Sequence, residues 1–284
     1  MVALFLFEIM NRRVCILQKI FKMANYCLNN DNSCDIVILI SGNFIFFYKR
    51  REKIMEIRDI AKYIDHTLLK QNATNKDIIK LCAEAKAYGF KAVCINPCYV
   101  ELAKKELEGT DVLVCTVVGF PFGANKTAVK AMEAKLAVED GADEIDMVIN
   151  VGMLKDYRFD YIVNEIKEVM AATGDKVVKV IAETGVLTEE EKELVTRATV
   201  SAGASFIKTC TGYSGGGATV ADIKLIKKVG NEKLQIKASG GIRDCEKAIA
   251  LIKYGAERIG TSSSIEIIKQ FKEKYGEVCT IEEE

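Results

Sequence analysis

The sequence predicts an α/β chain that folds as a single-domain (β/α)8 TIM barrel, with a short helix before its first strand. Seven glycines, 20 to 33 residues apart, each follow a helix-like segment and precede a strand-like one. Glycine is a common helix terminator because it adopts the left-handed conformation without a Cβ penalty. With a first strand at residues 63–67, eight such units fit into roughly 215 residues, the size of a compact barrel. The glycines are Gly89, Gly109, Gly141, Gly174, Gly203, Gly230 and Gly255.

The predicted ends of individual helices support this register. Residues 55–64 have the apolar spacing of a short helix, and the strand-like YIDHTLL overlaps its end. Thr74, Thr188 and Thr219 each precede a helix-like segment with an acidic residue in its first turn, which is typical of an N-cap. A doubly wound open sheet would alternate in the same way, but the sequence lacks the glycine-rich dinucleotide turn expected after its first strand.

Residues 1–54 differ in composition from the rest of the chain. Their apolar run, residues 36–48, is interrupted by Ser41, Gly42 and Asn43 and is shorter than the roughly 20 residues of a membrane helix. A signal peptide is disfavoured because no basic region precedes the first apolar run and no small-residue cleavage site follows it. We expect residues 1–54 to be a non-native or disordered extension, with translation starting at Met55. Residues 55–275 then form the barrel and 276–284 an acidic tail.

Composition excludes several classes of function. The 284 residues contain 40 Lys+Arg and 40 Asp+Glu, with a pI near 6.7, so the net charge favours neither nucleic acid nor an anionic membrane as a partner. Ten cysteines are scattered without ligand spacing, and the chain has a single histidine, His66. This pattern predicts reduced thiols in a cytoplasmic protein, with no metal site and no cofactor.

The most informative residue is Lys208, which stands mid-strand in FIKTCTG among apolar and small residues. In barrels of this type the active site lies at the carboxyl ends of the strands. Alternation along the strands places Asp146, Lys179, Lys208 and Lys237 on inward faces, if Val178, Ile207 and Ile236 face the helices. Inward charges on neighbouring strands four to seven are unexpected for a purely hydrophobic barrel core.

Two lysines on adjacent strands predict a reactive amine. A second ammonium at about 4 Å would disfavour the protonated form of Lys208 by on the order of 4 kcal/mol at an effective dielectric of 20. A neutral amine attacks carbonyl groups and forms Schiff bases. Asp146 is placed to move protons through water during such a reaction, although a plain ion pair with a lumen lysine is the alternative.

Glycine-rich turns beside these strand ends predict a phosphate site. SGG at 239–241 and GTSS at 260–263 follow strands seven and eight, where barrels commonly bind phosphate with backbone amides and a helix N-terminus. TGYSGGGAT at 211–219 adds a loop over the same mouth. Each run by itself is also consistent with simple turn chemistry.

Taken in order, IDHTLLK, VCINPCYV, CTVVGFPFGAN, GADEIDMVIN, FIKTCTG, IKASGGIR and GTSS resemble the deoxyribose-phosphate aldolase family of class I aldolases, over residues 55 to about 272. The resemblance implies reversible cleavage of 2-deoxy-D-ribose 5-phosphate to D-glyceraldehyde 3-phosphate and acetaldehyde. It implies that Lys208 forms the Schiff base and that Asp146 and Lys237 transfer protons. It also implies a homo-oligomer, either dimer or tetramer. The substrate and phosphate residues that it implies are Asp65, Gly212, Gly240, Gly241, Ser262 and Ser263.

Two other functions remain open at this point. The chain could be another Schiff-base aldolase or transaldolase that acts on a different phosphorylated sugar. It could instead be a catalytically silent barrel that binds a phosphosugar, although binding alone does not require both lysines and Asp146. Cys94 on an inward face and His66 on an outward face are expected to be structural.

Overall fold

The computed structural model describes residues 36–41, 44–49, 52–276 and 278–282, with side chains for 60–231 and 233–276. The chain divides into two units, Met1–Lys53 and Ile54–Glu284. In the first unit, Ile36–Ser41 and Phe44–Lys49 pair as antiparallel strands. The predicted non-native or disordered character of residues 1–54 falls mostly outside the described residues, so it stays a prediction.

Eight parallel strands of the second unit close into a barrel, as the glycine spacing predicts. Each strand pairs with the next along the chain, and the eighth pairs with the first through Ile259 opposite Ile64. The strands are β1 (Ile64–Leu68), β2 (Ala92–Ile95), β3 (Leu113–Val118), β4 (Glu144–Val148), β5 (Val177–Ile181), β6 (Phe206–Lys208), β7 (Gln235–Ser239) and β8 (Arg258–Thr261).

Helices connect the strands and surround them, and one short helix precedes β1 as predicted. The helices are α1 (Ile57–Tyr63), α2 (Asn75–Tyr88), α3 (Val100–Glu106), α4 (Thr127–Glu139), α5 (Val151–Lys155), α6 (Phe159–Thr173), α7 (Glu189–Ala202), α8 (Val220–Gly230), α9 (Cys245–Lys253) and α10 (Ser264–Tyr275). Short 3-10 turns occupy Pro97–Tyr99, Thr184–Val186 and Asn231–Lys233.

The three predicted N-caps are confirmed. The side chains of Thr74, Thr188 and Thr219 each accept a hydrogen bond from a backbone N–H in the first helical turn. Gly203 ends α7 in the left-handed conformation, as the pattern predicts. Helix α8 also ends at a glycine, Gly230, but the predicted left-handed conformation is wrong there, because Gly230 is the last helical residue and has a φ of −75°.

Strand alternation places the apolar and charged side chains on the predicted faces. Val178, Ile207 and Ile236 are buried in the hydrophobic core that includes helix residues such as Ile166 and Ile226. The charged side chains of the same strands are buried on the other face, inside the barrel. A core formed between strands and helices therefore leaves the lumen free for polar chemistry.

Helix α10 ends at Tyr275, and Val278–Glu282 forms a further strand within the segment predicted to be an acidic tail. Among the described residues, none of the helices combines the length and the apolar content required to cross a bilayer.

Candidate active site

A cavity of about 240 Å³ opens at the carboxyl ends of β1, β6, β7 and β8. Lys208, the last residue of β6, lines it, and so do the basic residues Lys70 and Arg243. Turns that follow the strands supply most of the remaining wall. This wall contains Thr67, Leu68, Leu69, Thr211, Gly212, Tyr213, Ser239, Gly240, Gly241, Ile242, Gly260, Thr261 and Ser262.

Six charged side chains in the lumen form a closed ring in which positive and negative groups alternate. All six are at least 95% buried. We call this arrangement the charge ring. In order around it, the members are Arg258, Asp65, Lys237, Asp146, Lys179 and Glu144.

Half of the charge ring leads from Arg258 to Asp146. Arg258 Nε donates to Asp65 Oδ1 at 2.9 Å. Lys237 Nζ forms an ion pair with Asp65 Oδ2 at 2.5 Å. The same ammonium donates to Asp146 Oδ2 at 2.7 Å. Lys237 is therefore fixed between two carboxylates.

The other half returns through Lys179 and Glu144. Lys179 Nζ donates to Asp146 Oδ1 at 3.1 Å and to Glu144 Oε2 at 2.6 Å. Arg258 closes the ring by donating to Glu144 through Nη1 at 3.0 Å and Nη2 at 2.8 Å. Because three positive groups face three negative ones, the ring is electrically neutral.

Lys208 is a seventh charged group, attached to the charge ring at one point. Its Nζ donates to Asp146 Oδ2 at 2.7 Å, so it shares that oxygen with Lys237. Within the described part of the chain, no member of the charge ring lines the cavity, whereas Lys208 does. Lys208 can thus react as a neutral amine without leaving any carboxylate of the ring unpaired.

The neighbours of the two aspartates in the charge ring lower the pKa of each carboxyl group. Burial by itself opposes ionisation of Asp146, but the ammonium groups of Lys179, Lys208 and Lys237 hold its pKa well below the usual value. Asp65 behaves alike, since Lys237 and Arg258 outweigh burial and lower its pKa. Conversely, Asp146 and Asp65 overcome burial and hold the pKa of Lys237 well above its usual value.

This geometry changes the physical reason for coupling between the two lysines. The sequence-based interpretation assigned a direct repulsion between Lys208 and Lys237. In the structure Asp146 Oδ2 accepts from both ammonium groups, and Asp65 also neutralises Lys237. In this geometry Lys237 shares an oxygen of Asp146 with Lys208 and supplies one of the three positive charges of the ring.

Two thiols from β2 and β3 contact the same carboxylate. Cys115 Sγ donates to Asp146 Oδ1 at 3.1 Å, and Cys94 Sγ lies 3.9 Å from Asp146 Oδ2. Burial raises the pKa of Cys115, which keeps it a neutral donor. The sulfur and oxygen ligand atoms lie within 4.8 Å of one another, but a metal cation would have to compete with three ammonium groups on Asp146.

Glycines let the turns above Lys208 approach each other closely. Gly240 has a φ of +91°, and a Cβ there would lie 3.1 Å from Cys210 Cβ and 3.2 Å from Gly217 Cα. A Cβ on Gly217 would lie only 2.5 Å from the carbonyl oxygen of Gly240. Side chains at these two positions would separate the turns, so glycine is required for a narrow cavity wall.

The loop after β6 is held at its base and at its tip. Glu183, which is 2% exposed and has a φ of +60°, accepts from Thr211 N at 3.1 Å and from Ser214 Oγ at 3.3 Å. Tyr213 Oη donates to the carbonyl of Leu69 at 2.8 Å. The loop thereby spans the cavity from β5 to the turn after β1.

The structure brings most of the predicted site residues together. Gly212, Gly240, Gly241 and Ser262 line the cavity, whereas Ser263 does not and instead precedes α10. Asp65 lies in the charge ring, fully buried, and does not line the cavity.

His66 lies outside the lumen, as its strand position predicts. Its ring contacts Ser264 Oγ at 2.9 Å and Glu84 Oε2 at 2.9 Å. These contacts connect β1 to the first residue of α10 and to α2.

Sequence reasoning missed four residues of this site. Glu144 shares the inward face of Asp146 on β4, and strand alternation was a sufficient signal for it. Arg258 pairs with Lys237 across β7 and β8, which requires knowledge of the register. Lys70 and Arg243 are the last residues of the quoted motifs IDHTLLK and IKASGGIR, but their type alone did not distinguish them from solvated surface residues.

A buried lysine at the mouth of a (β/α)8 barrel, hydrogen-bonded to a carboxylate that also accepts from a second lysine, is typical of lyases that bind carbonyl substrates as Schiff bases. A family model described as DeoC/LacD family aldolase matches residues 60–269. The chain belongs to this family of aldolases.

Relatives at higher similarity carry a more specific name. The deoxyribose-phosphate aldolase of Finegoldia magna is 56% identical over 211 residues, which cover 74% of this chain and 99% of the relative. The enzyme of the same name from Caldanaerobacter subterraneus subsp. tengcongensis is 53% identical over 229 residues, which cover 80% of this chain and 98% of that relative.

Solved structures agree with the fold and the family. The aldolase QR15 superposes with a TM-score of 0.73 at 44% identity, covering 76% of this chain and 97% of its own. A tetrameric deoxyribose phosphate aldolase from Aeropyrum pernix gives a TM-score of 0.70 at 32% identity, covering 76% and 92%.

Proposed function

We propose that the protein catalyses reversible retro-aldol cleavage of 2-deoxy-D-ribose 5-phosphate to D-glyceraldehyde 3-phosphate and acetaldehyde, as a step in deoxyribose catabolism. The observation that carries this proposal is the position of Lys208, an amine at the cavity wall supported by a neutral charge ring. The names of the curated relatives support the choice of substrate.

Lys208 would attack the aldehyde carbon of the open-chain sugar and form an imine with loss of water. The protonated imine at C1 draws electrons from the bond between C2 and C3, the α and β carbons. When the 3-hydroxyl loses its proton, that bond breaks, glyceraldehyde 3-phosphate leaves and an enamine remains on Lys208. Protonation of the enamine carbon and hydrolysis of the imine then release acetaldehyde and restore the amine.

Asp146 and Lys237 would support these proton transfers. Lys208, Lys237 and Asp146 meet at one carboxylate oxygen, so a proton has a short route among the three groups. The position of Asp65 supports a different role from direct substrate binding, because it holds Lys237 against Asp146. We therefore assign Asp65 as a positioning residue.

The substrate phosphate would lie in the glycine-rich part of the cavity. Gly212, Gly240, Gly241 and Ser262 supply backbone at this wall, and Arg243 adds a positive side chain. Ser263 would contribute through the N-terminus of α10, where it is the residue before the helix.

Borohydride trapping tests the central assignment. Reduction in the presence of deoxyribose 5-phosphate, followed by intact-mass measurement and peptide mapping, is expected to place one adduct on Lys208. Lys208→Ala should abolish turnover, and Lys208→Arg, which keeps the positive charge, should give neither adduct nor turnover while remaining folded. Active protein that yields no adduct, or an adduct on Lys179 or Lys237, would contradict the mechanism. Folded, inactive protein without an adduct would favour a silent phosphosugar-binding barrel.

Two further parts of the proposal concern the cellular context. We propose that the chain forms a homo-oligomer, which the description of the Aeropyrum pernix relative as tetrameric supports. We also propose a cytoplasmic location, which the buried free thiols of Cys82, Cys94, Cys115 and Cys210 support. Gel filtration with light scattering, and fractionation of the source cells, measure these two properties.

A further inference from the structure

The side chain of Tyr213 crosses the mouth of the cavity. Tyr213 belongs to the loop after β6 and lines the cavity. Its Oη donates a hydrogen bond to the carbonyl oxygen of Leu69, in the turn after β1, at 2.8 Å. Its ring stands edge-on against the ring of Phe120, in the turn after β3, with the ring centroids 5.3 Å apart. We call these two contacts the Tyr213 bridge.

The order of the strands shows what the Tyr213 bridge encloses. Strands β6, β7, β8 and β1 are consecutive neighbours around the barrel, and the cavity lies at their carboxyl ends. Tyr213 follows the first of these four strands and contacts the turn after the last one. Phe120 follows β3, which lies outside this arc of four strands, and contacts the ring from there. The side chain of Tyr213 therefore forms the wall of the cavity that faces the other half of the barrel.

The remaining contacts of the loop do not cross the cavity. The backbone N–H of Thr211 donates to Glu183, which follows β5. A Cβ on Gly185, in the same turn, would lie 2.8 Å from the carbonyl oxygen of Gly215. Because β5 is the neighbour of β6, these contacts fix the loop on its own side of the barrel. The connection across the mouth depends on Tyr213.

Core packing alone does not account for this side chain. Tyr213 is 51% exposed, so it gains only part of the apolar burial of a tyrosine in a core. Its hydroxyl and its ring are nevertheless both held by partners, and holding an exposed side chain in one conformation costs entropy. A ring held in this way gives the cavity a wall of fixed position.

We propose that Tyr213 is a specificity-determining residue, whose ring limits the size of the aldehyde that occupies the cavity beside Lys208. The cavity volume of about 240 Å³ is below the roughly 300–1,000 Å³ of pockets for drug-sized ligands. A cavity of this size suits a short phosphorylated aldehyde and excludes an aldehyde that carries an aromatic ring. Without the ring of Tyr213, the cavity would join the space in front of Phe120. This inference deepens the proposed function and rests on it.

Competition between two aldehydes tests the size limit in the direction of aldol addition. Acetaldehyde serves as the donor, glyceraldehyde 3-phosphate and phenylacetaldehyde are offered together as acceptors, and both products are quantified by chromatography. In each addition the enamine carbon on Lys208 bonds to the carbonyl carbon of the acceptor, and the acceptor oxygen takes up a proton. The product ratio reports the ratio of the two kcat/KM values. Loss of folded protein cancels in this ratio, because both acceptors compete for the same enzyme.

Two substitutions of Tyr213 separate its ring from its hydroxyl. Tyr213→Ala should shift the product ratio toward the phenylacetaldehyde product by about 10- to 200-fold, because it removes the wall. Tyr213→Phe keeps the ring and should leave the ratio unchanged. Since it loses the hydrogen bond to Leu69, its KM for deoxyribose 5-phosphate should rise about two- to tenfold.

Phe122 provides a matched aromatic control. It lies in the same turn as Phe120 and is 73% exposed, and it is not among the described residues that line the cavity. Phe122→Ala should therefore change neither the product ratio nor the KM for deoxyribose 5-phosphate.

The outcomes distinguish this inference from the proposed function. An unchanged product ratio in Tyr213→Ala would overturn the inference alone. An equal shift in Tyr213→Phe and Tyr213→Ala would also overturn it, because the effect would then belong to the hydroxyl and not to the ring. Unmodified protein that joins acetaldehyde to neither acceptor would overturn the proposed function and this inference with it.

Discussion

Replacing Lys237 by leucine tests the role of the charge ring directly. Lys237 is fully buried, and its Nζ lies 2.7 Å from Asp146 Oδ2 and 2.5 Å from Asp65 Oδ2. Leucine removes one positive charge, so the three ring carboxylates are then opposed by two cations of the ring and by Lys208. Protonated Lys208 then balances the buried negative charge in place of Lys237. Lys208 therefore keeps its proton at pH values at which the attack on the substrate requires a neutral amine.

The expected effects on stability and on rate are both large. Removing one partner of a buried ion pair costs about 3–5 kcal/mol of folding free energy, because it leaves an uncompensated charge. Loss of a positioned proton-transfer group lowers rates by about 10²- to 10⁴-fold. We expect the rate of imine trapping by Lys237→Leu at pH 7 to fall within this range, and its pH–rate profile to move to higher pH. Single-turnover trapping between pH 6 and 10, with urea unfolding in parallel, measures both effects.

A buried lysine outside the site provides the control. Lys130 is also fully buried and donates to Glu165 Oε1 at 2.8 Å, but it does not belong to the charge ring. Lys130→Met should therefore lower stability without moving the pH–rate profile of trapping. If Lys237→Leu traps substrate with an unchanged pH–rate profile, the charge-balance reasoning is wrong, whatever its effect on stability.

Three further predictions concern the loop, the cavity wall and acid stability. Glu183→Gln should raise KM for deoxyribose 5-phosphate more than it lowers kcat, because Glu183 anchors the loop at Thr211 and does not contact the amine of Lys208. Steady-state kinetics measure both constants, and the same variant should show a smaller rise in KM for unphosphorylated deoxyribose. Gly240→Ala should cost about 1–2 kcal/mol of stability for its left-handed backbone and should weaken binding of inorganic phosphate by calorimetry. Asp65 has a lowered pKa, so it contributes stability that is present above its unfolded pKa and is lost as pH falls through the folded value. Asp65→Asn should flatten the loss of urea stability below about pH 4, and an equally steep loss would contradict the assignment.

The sequence was sufficient for the fold and for half of the site. Glycine-terminated helices recur at regular spacing, and strand alternation then orients Asp146, Lys208 and Lys237 into the lumen. The closed ring was beyond this reasoning, because it depends on contacts across the barrel. Arg258 on β8 contacts Glu144 on β4, four strands away around the barrel. Such a contact depends on the length and conformation of both side chains, which the strand pattern does not give.

The sequence predicts a direct repulsion between Lys208 and Lys237 because it does not reveal which side chain from another strand lies between them. Alternation shows that Lys208 and Lys237 face inward on neighbouring strands, and the register confirms that they are paired. It does not show that the carboxylate of Asp146, from a strand two positions away from β6, extends between them. Strand alternation predicts the face of the sheet to which a side chain points. How its charge is balanced depends on the other charged side chains that extend into the same barrel lumen.

The neutral ring also explains how one amine can pass through several charge states in a reaction cycle. In the proposed cycle, the nitrogen of Lys208 is neutral during attack, positive as the protonated imine and neutral again in the enamine. Asp146 Oδ2, at 2.7 Å, is placed to stabilise the positive form in which the carbon–carbon bond breaks. Lys237 shares that oxygen and therefore competes with Lys208 for it. A carboxylate without this second partner would favour the protonated amine before substrate arrives, and preferential binding of the ground state slows the chemical step.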